Sequence, residues 1–155
     1  MSVALTGSPI SQITKATYGD LSAVLALLRH CELLEMGVAE AIDGFCIARS
    51  ADTVVGCAGL EAHGELGLLR SVAVDATARN AGLGARLVES VVALARARDL
   101  RELYLLTTTA ARFFERRGFA SVARSSVPAA IADSWEFRVG CPKTALAMRL
   151  ALKEA

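Results

Sequence analysis

The chain is 155 residues long, 54% of them hydrophobic, and carries 17 basic against 16 acidic side chains for a net charge of +1. This length suits one domain over 1–155 with a well-filled core, and the charge balance leaves no electrostatic footprint for nucleic acid or an anionic membrane. No apolar run is long enough for a membrane span, and the N-terminus MSVALTGSPISQITK lacks the basic start and long apolar core of a signal peptide, so a cytoplasmic protein is expected.

Ile10–Ala16 alternates loosely and predicts a short first strand. Thr17-Tyr18-Gly19-Asp20 has the form of a capping box, and Leu21, Val24, Leu25 and Leu28 follow at helical spacing, so a first helix runs to about Cys31. A short second helix is expected around Val38–Ile42, ended by Gly44. Phe45–Arg49 and Thr53–Leu60 predict a hairpin around Ser50-Ala51-Asp52, with Glu61 at the end of its second strand and a turn through His63-Gly64-Glu65. Leu68–Val74 is the next strand. From Leu83 the apolar positions Leu87, Val88, Val91, Leu94 and Ala95 mark the longest helix, and Glu102–Thr108 a parallel strand beyond it. Ala110–Arg117 reads as a short helix stopped by Gly118, and Phe119–Ala123 as a strand. A helical turn follows at Ala129–Asp133, and Thr144–Leu152 is the last strand, read as an edge open to pairing.

Four cysteines (Cys31, Cys46, Cys57, Cys141) show no Cys-x-x-Cys spacing, and two histidines (His30, His63) accompany them. Buried free thiols are expected, with no metal site and no disulfide framework.

The organising stretch is Leu68–Ala85. An apolar strand passes through a small polar turn and closes on Arg79-Asn80-Ala81-Gly82-Leu83-Gly84 at the start of the long helix. Glycine lets the backbone approach a bulky anion, and the unpaired N–H groups of the first helical turn point at it. Arg79 adds a fixed charge suited to phosphate. The three parts together form a pyrophosphate cradle.

Arg79-x-x-Gly82-x-Gly84, after a strand ending Val-Ala-Val-Asp, resembles the acetyl-coenzyme A loop of the GNAT superfamily of N-acetyltransferases, as do the element order from Ile10 to Leu152 and the closing AARFFERRGF (Ala110–Phe119). The resemblance implies an α/β fold with a mixed sheet of about seven strands, a splayed parallel pair (Leu68–Val74 and Leu103–Thr108) and about four helices. It implies acetyl-coenzyme A as cosubstrate, bound by Val72, Ala73 and Val74 along pantetheine and by Arg79, Asn80, Ala81, Gly82, Leu83, Gly84 and Ala85 at the pyrophosphate. Thr107 stands where relatives often carry a pantetheine-binding Asn, and Phe113 where an aromatic packs on that arm. An N–H near Ser71–Val72 would polarise the thioester carbonyl. Homodimers are common among such proteins.

Direct attack by a neutral amine needs a base and a donor to the departing thiolate. Glu61 is the candidate base, acting through water, against the plain alternative of a surface carboxylate. The tyrosine that many relatives use as acid is replaced by Phe114. Either thiolate leaves without a dedicated acid, or a hydroxyl of Ser71, Thr107 or Thr108 helps, or catalysis is weak or lost and the chain is a coenzyme A-binding sensor. Leu105–Ala110 is similar to N-acetylglutamate synthase-type acetyltransferases. GCAGLE (Gly56–Glu61), LLRSVAV and LYLLTTTA are similar to a small bacterial subgroup associated with arsenic-resistance operons. These likenesses imply a small amino-acid-like acceptor, with Thr108 near it and Arg70 or Arg138, backed by Lys143, as carboxylate partners. His30, Glu32 and Glu35 either touch substrate or form a solvated helix face.

Overall fold

In the computed structural model, which describes residues 12–79, 82–140 and 144–153, the chain runs through β1 (Thr14–Lys15), α1 (Leu21–His30), α2 (Val38–Ala41), β2 (Phe45–Ser50), β3 (Thr53–His63), β4 (Leu66–Val74) and α3 (Leu83–Ala97). It continues through β5 (Glu102–Thr107), α4 (Ala111–Glu115), β6 (Ala120–Val122), α5 (Ala129–Ala132) and β7 (Leu146–Ala151). Ile10 and Ser11, at the head of the expected first strand, lie outside the described residues.

Local chemistry explains the starts and stops. The Asp20 carboxylate accepts from the main-chain N–H of Thr17 at 2.8 Å and from its hydroxyl at 3.2 Å, so the expected capping box forms over a 3-10 turn that leads into α1. Asp20 also pairs with Arg49 on β2, which pins the helix entry to the sheet. Gly118, at φ +96, takes the left-handed step that ends the α4 segment.

Among the described residues, seven strands form one sheet in the order β1-β2-β3-β4-β5-β7-β6. The first four are antiparallel neighbours. β4 and β5 are parallel, but their ladder spans only Leu66–Leu68 against Glu102–Tyr104. Beyond Leu68 the two strands part, as a splayed pair should. β7 is inserted between β5 and β6 and pairs with both, so the expectation of a last strand at the sheet edge is corrected. The edges are β1 and β6, two and three residues long, and short edges limit pairing with another chain.

Leu87, Val88, Val91 and Ala95 of α3, with Phe114 of α4, pack on one face of the sheet against Leu60, Leu69, Leu103 and Leu105. Val24, Leu27 and Leu28 of α1 and Val38 of α2 cover the other face against Phe45, Ile47, Cys57 and Ala73. Ile131 of α5 covers Leu68 and Tyr104 there. Alternation along a strand assigns each residue its face. In β4 that alternation is broken once. Ser71 has φ +60, and the β3–β4 register slips between Cys57↔Ala73 and Gly59↔Arg70. This bulge shifts the phase by one residue. Leu69, Val72 and Val74 face α3, while Ala73 faces α1.

Candidate active site

Where β4 and β5 separate, the sheet opens into a groove of about 700 Å3. At one end Gly82 caps α3 with φ +74, and a Cβ there would meet nothing within 4 Å. Glycine is therefore demanded by the left-handed backbone and not by crowding. The first α-helical bond of α3 runs from Arg86 N–H to the Gly82 carbonyl, which leaves the N–H groups of Leu83, Gly84 and Ala85 at the groove without helical partners. Arg79 also lines the groove, and its Nε donates to the Val74 carbonyl at 3.0 Å, tying the loop to the end of β4. Asn80 and Ala81 lie outside the described residues.

Along the floor lie Val72 and Val74 from β4, and Thr107 and Thr108 at the end of β5. Ala73 is not among the lining residues, because the bulge turns it into the core on the α1 side. Thr107 Oγ1 accepts from the Ala110 N–H at 3.0 Å and so shapes the entry to α4. Phe113 lines the groove from α4, packed edge-on against Phe114 at 5.0 Å between ring centroids, and Phe114 meets Phe119 in the same way at 5.7 Å. The Arg117 guanidinium covers the Phe113 ring at 3.8 Å and donates to the Phe113 carbonyl at 2.6 Å. Nothing in a loop motif announces Arg117. The signal for it is its helical spacing of four from Phe113.

Ser71 occupies the inner end of the groove, 7% exposed. The Cys57 thiol donates to its carbonyl at 3.2 Å, and burial pushes that thiol up to about 12, so it stays a donor. Cys31, Cys46 and Cys57 are free thiols. Cys141 and Lys143 lie outside the described residues.

Arg70 departs from the sequence expectation. Its side chain is fully buried, and Nη1 donates to Glu61 Oε2 at 2.9 Å, Nε to Ser71 Oγ at 3.1 Å and Nη2 to the Met36 carbonyl at 2.6 Å. Nη2 also reaches the Leu34 carbonyl at 3.4 Å, and Glu136 Oε2 lies 4.0 Å away. A guanidinium so engaged, with two carboxylates beside it, has no open face for a substrate carboxylate.

Glu61 is likewise relocated. β3 runs on to His63, so Glu61 lies inside the strand, held by Arg70 and by His63 Nε2 at 2.7 Å. It lines a second hollow of about 550 Å3 with Gly37, His63, Asp133 and Trp135, whereas Arg70 lines the groove. Gly37 permits this contact. A Cβ there would stand 2.8 Å from Arg70 Nη1 and 3.3 Å from the Trp135 ring, at φ +84. Arg138 is not brought into either hollow. It is exposed, with its guanidinium 5.9 Å from the Trp135 ring at the rim. His30, Glu32 and Glu35 line neither hollow. No sequence motif marks Trp135, just before the π-helical turn Glu136–Gly140, or Glu136, which opens it.

Residues 41–121, more than half of the chain, match the profile of the Acetyltransferase (GNAT) domain. The amino-acid acetyltransferase of Azotobacter vinelandii is 30% identical over 145 residues, which cover 86% of this chain and 33% of that protein. That of Escherichia coli K12 is 32% identical over 126 residues, 76% of this chain and 28% of the relative. The chain thus spans about a third of the length of the curated relatives it matches. Among solved structures, N-acetylglutamate synthase from Neisseria gonorrhoeae complexed with coenzyme A and N-acetyl-glutamate gives a TM-score of 0.80 at 24% identity, over 95% of this chain and 36% of that one. Rv2747 from Mycobacterium tuberculosis, solved in complex with CoA, gives 0.74 at 26% identity over 91% and 99%.

Proposed function

Since the chain belongs to the GNAT acetyltransferase domain family, we propose that it transfers an acetyl group from acetyl-coenzyme A to the amine of a small, amino-acid-like acceptor. The observation that carries this reading is the groove between the parted strands β4 and β5, with free helix N–H groups at one end and the Ser71 bulge at the other. The pyrophosphate would sit on the N–H groups of Leu83, Gly84 and Ala85 beside Arg79, with Asn80 and Ala81 completing the loop. Pantetheine would run along the main chain of Val72 and Val74, between Thr107 and Phe113. The thioester carbonyl would then meet an N–H near Ser71–Val72, where charge develops as the amine adds.

The acceptor would enter through the hollow beside Glu61, with Thr108 near its path. Glu61 would take the ammonium proton through water. The amino-acid acetyltransferase relatives support a carboxylate-bearing acceptor. Arg138, at the rim against Trp135, would be the cation that meets it. Such an enzyme would work in the cytoplasm, where acetyl-coenzyme A and amino acids are both at hand.

Phe114 favours a second reading. It lines the groove without a proton to give, as a coenzyme A-binding module without turnover would allow. Thiol release from acetyl-coenzyme A against a panel of amino acids and analogues, run beside calorimetry of coenzyme A, decides between them. Amine-dependent release supports the transferase. Tight binding without release for any amine supports the sensor, and absence of binding removes both.

A further inference from the structure

We infer that Arg70 is a positioning residue for Ser71, and that the pair serves to stabilise the departing thiolate in place of the missing tyrosine. This rests on the acetyl-transfer reading of the groove. Arg70 Nε donates to Ser71 Oγ at 3.1 Å, and the whole guanidinium is locked by Glu61 at 2.9 Å and by the Met36 carbonyl at 2.6 Å. A hydroxyl whose oxygen accepts from a fixed cation turns its own hydrogen elsewhere. Among the described residues, the Ser71 hydroxyl meets no protein acceptor. Ser71 lines the inner end of the groove, and its bulged backbone at φ +60 sets where Oγ stands. The neighbouring guanidinium makes the O–H a stronger donor, since positive charge favours electron withdrawal from oxygen. Phe114 on the opposite wall is apolar and offers no rival donor.

The chemistry balances without a proton leaving Ser71. The neutral amine, whose ammonium proton has already passed by way of Glu61 to solvent, forms a bond to the acetyl carbon, the C–S bond breaks with its electron pair going to sulfur, and the second proton that the nitrogen sheds goes through water to Glu61. Ser71 keeps its proton and donates a hydrogen bond to the sulfur anion. The charged groups around the pair are Arg70, Glu61 and Glu136, with His63 behind Glu61.

The test reads the ionisation of the thiol of bound coenzyme A, so it needs no acceptor. The thiolate's ultraviolet absorbance is followed against pH as a difference spectrum between the complex and the free protein. The Cys57 thiol, pushed up to about 12, stays silent in the neutral range. Wild type is expected to ionise the bound thiol about tenfold more readily than Ser71→Ala, the effect of one hydrogen bond to a charged acceptor. Arg70→Lys keeps the positive charge but loses the planar Nε contact. It is expected to fall toward Ser71→Ala, and to add nothing when combined with it. Equal ionisation in wild type and Ser71→Ala overturns the inference. So does an Arg70→Lys effect that persists in full without the Ser71 hydroxyl, since Arg70 would then act on its own. If Arg70→Lys fails to fold, the Ser71→Ala comparison still decides whether the hydroxyl serves the sulfur. Failure of wild type to bind coenzyme A at all would overturn the reading of the groove, and is a different result from an unchanged ionisation.

Discussion

The Cys57 thiol lies 3.2 Å from the Ser71 carbonyl, at the bulge where β4 leaves its regular ladder. A bulge frees a carbonyl from the sheet, and a buried free carbonyl costs stability unless a donor meets it. Cys57 is that donor. Cys57→Ala is expected to cost about 1–2 kcal/mol, read as a lower midpoint in urea at unchanged slope.

Burial of the same thiol sets an alkaline limit. Burial pushes the Cys57 thiol from 9.0 to about 12, and burial with the Glu102 hydrogen bond pushes the Tyr104 phenol from 10.0 to about 12. Both groups hold their protons more tightly folded than unfolded. Their contribution to stability is therefore full below about pH 9, and falls as pH rises from there toward 12 because the unfolded chain releases protons first. Urea midpoints measured across that range should decline, and Cys57→Ala should flatten the early part of the decline. Native protein should also leave Cys57 unalkylated at pH 8 and label it after unfolding, as peptide mass mapping would show.

At the cradle, Gly82→Glu should abolish coenzyme A binding in calorimetry while the fold persists, because nothing within 4 Å blocks a side chain and the carboxylate would face the anion site. Gly82→Ala should cost about 1 kcal/mol of stability for the left-handed backbone and weaken binding far less. Wild-type affinity in Gly82→Glu would place the pyrophosphate elsewhere.

Phe114→Tyr would supply a phenol at the groove wall. Turnover on the order of tenfold or more above wild type is expected if proton donation to the leaving group limits the rate. An unchanged rate in a folded variant would show that thiolate departure needs no such donor.

The capping box at α1 offers an acid-side test. Thr17→Ala should cost about 1 kcal/mol. The main-chain N–H of Thr17 foremost, with its hydroxyl and Arg49, holds the Asp20 carboxyl below its ordinary value against a smaller opposing effect of burial. Its contribution is present above the ordinary carboxylate range and is lost as pH falls through the lowered value. Asp20→Asn should remove that portion of the acid sensitivity in thermal melts.

Much of the fold is written in local patterns. The capping box at Thr17–Asp20, the apolar spacing of α3, the hairpin of β2 and β3 and the Gly118 stop each depend on residues within a turn or two of one another, and each forms where its pattern stands. The glycine loop before Leu83 was legible for the same reason, since a left-handed cap and unpaired N–H groups follow from residue type alone.

What the local patterns did not contain is set by residues far apart in the chain meeting at one point. The place of β7 between β5 and β6 is decided by which hydrogen-bonding edge remains open once the other strands have paired. The burial of Arg70 is decided by Glu61, Met36 and Glu136 converging on it from three other segments. A charged residue in an apolar strand reads locally as exposed or substrate-facing, because the desolvation of a guanidinium is offset only by partners the strand does not itself carry. The residue types of the cradle and the order of the elements are therefore properties of the sequence. The side of the sheet on which Glu61 stands, the phase shift that sends Ala73 to the core and the engagement of Arg70 are properties of the tertiary structure, because they arise only when a bulge and three remote segments pack together.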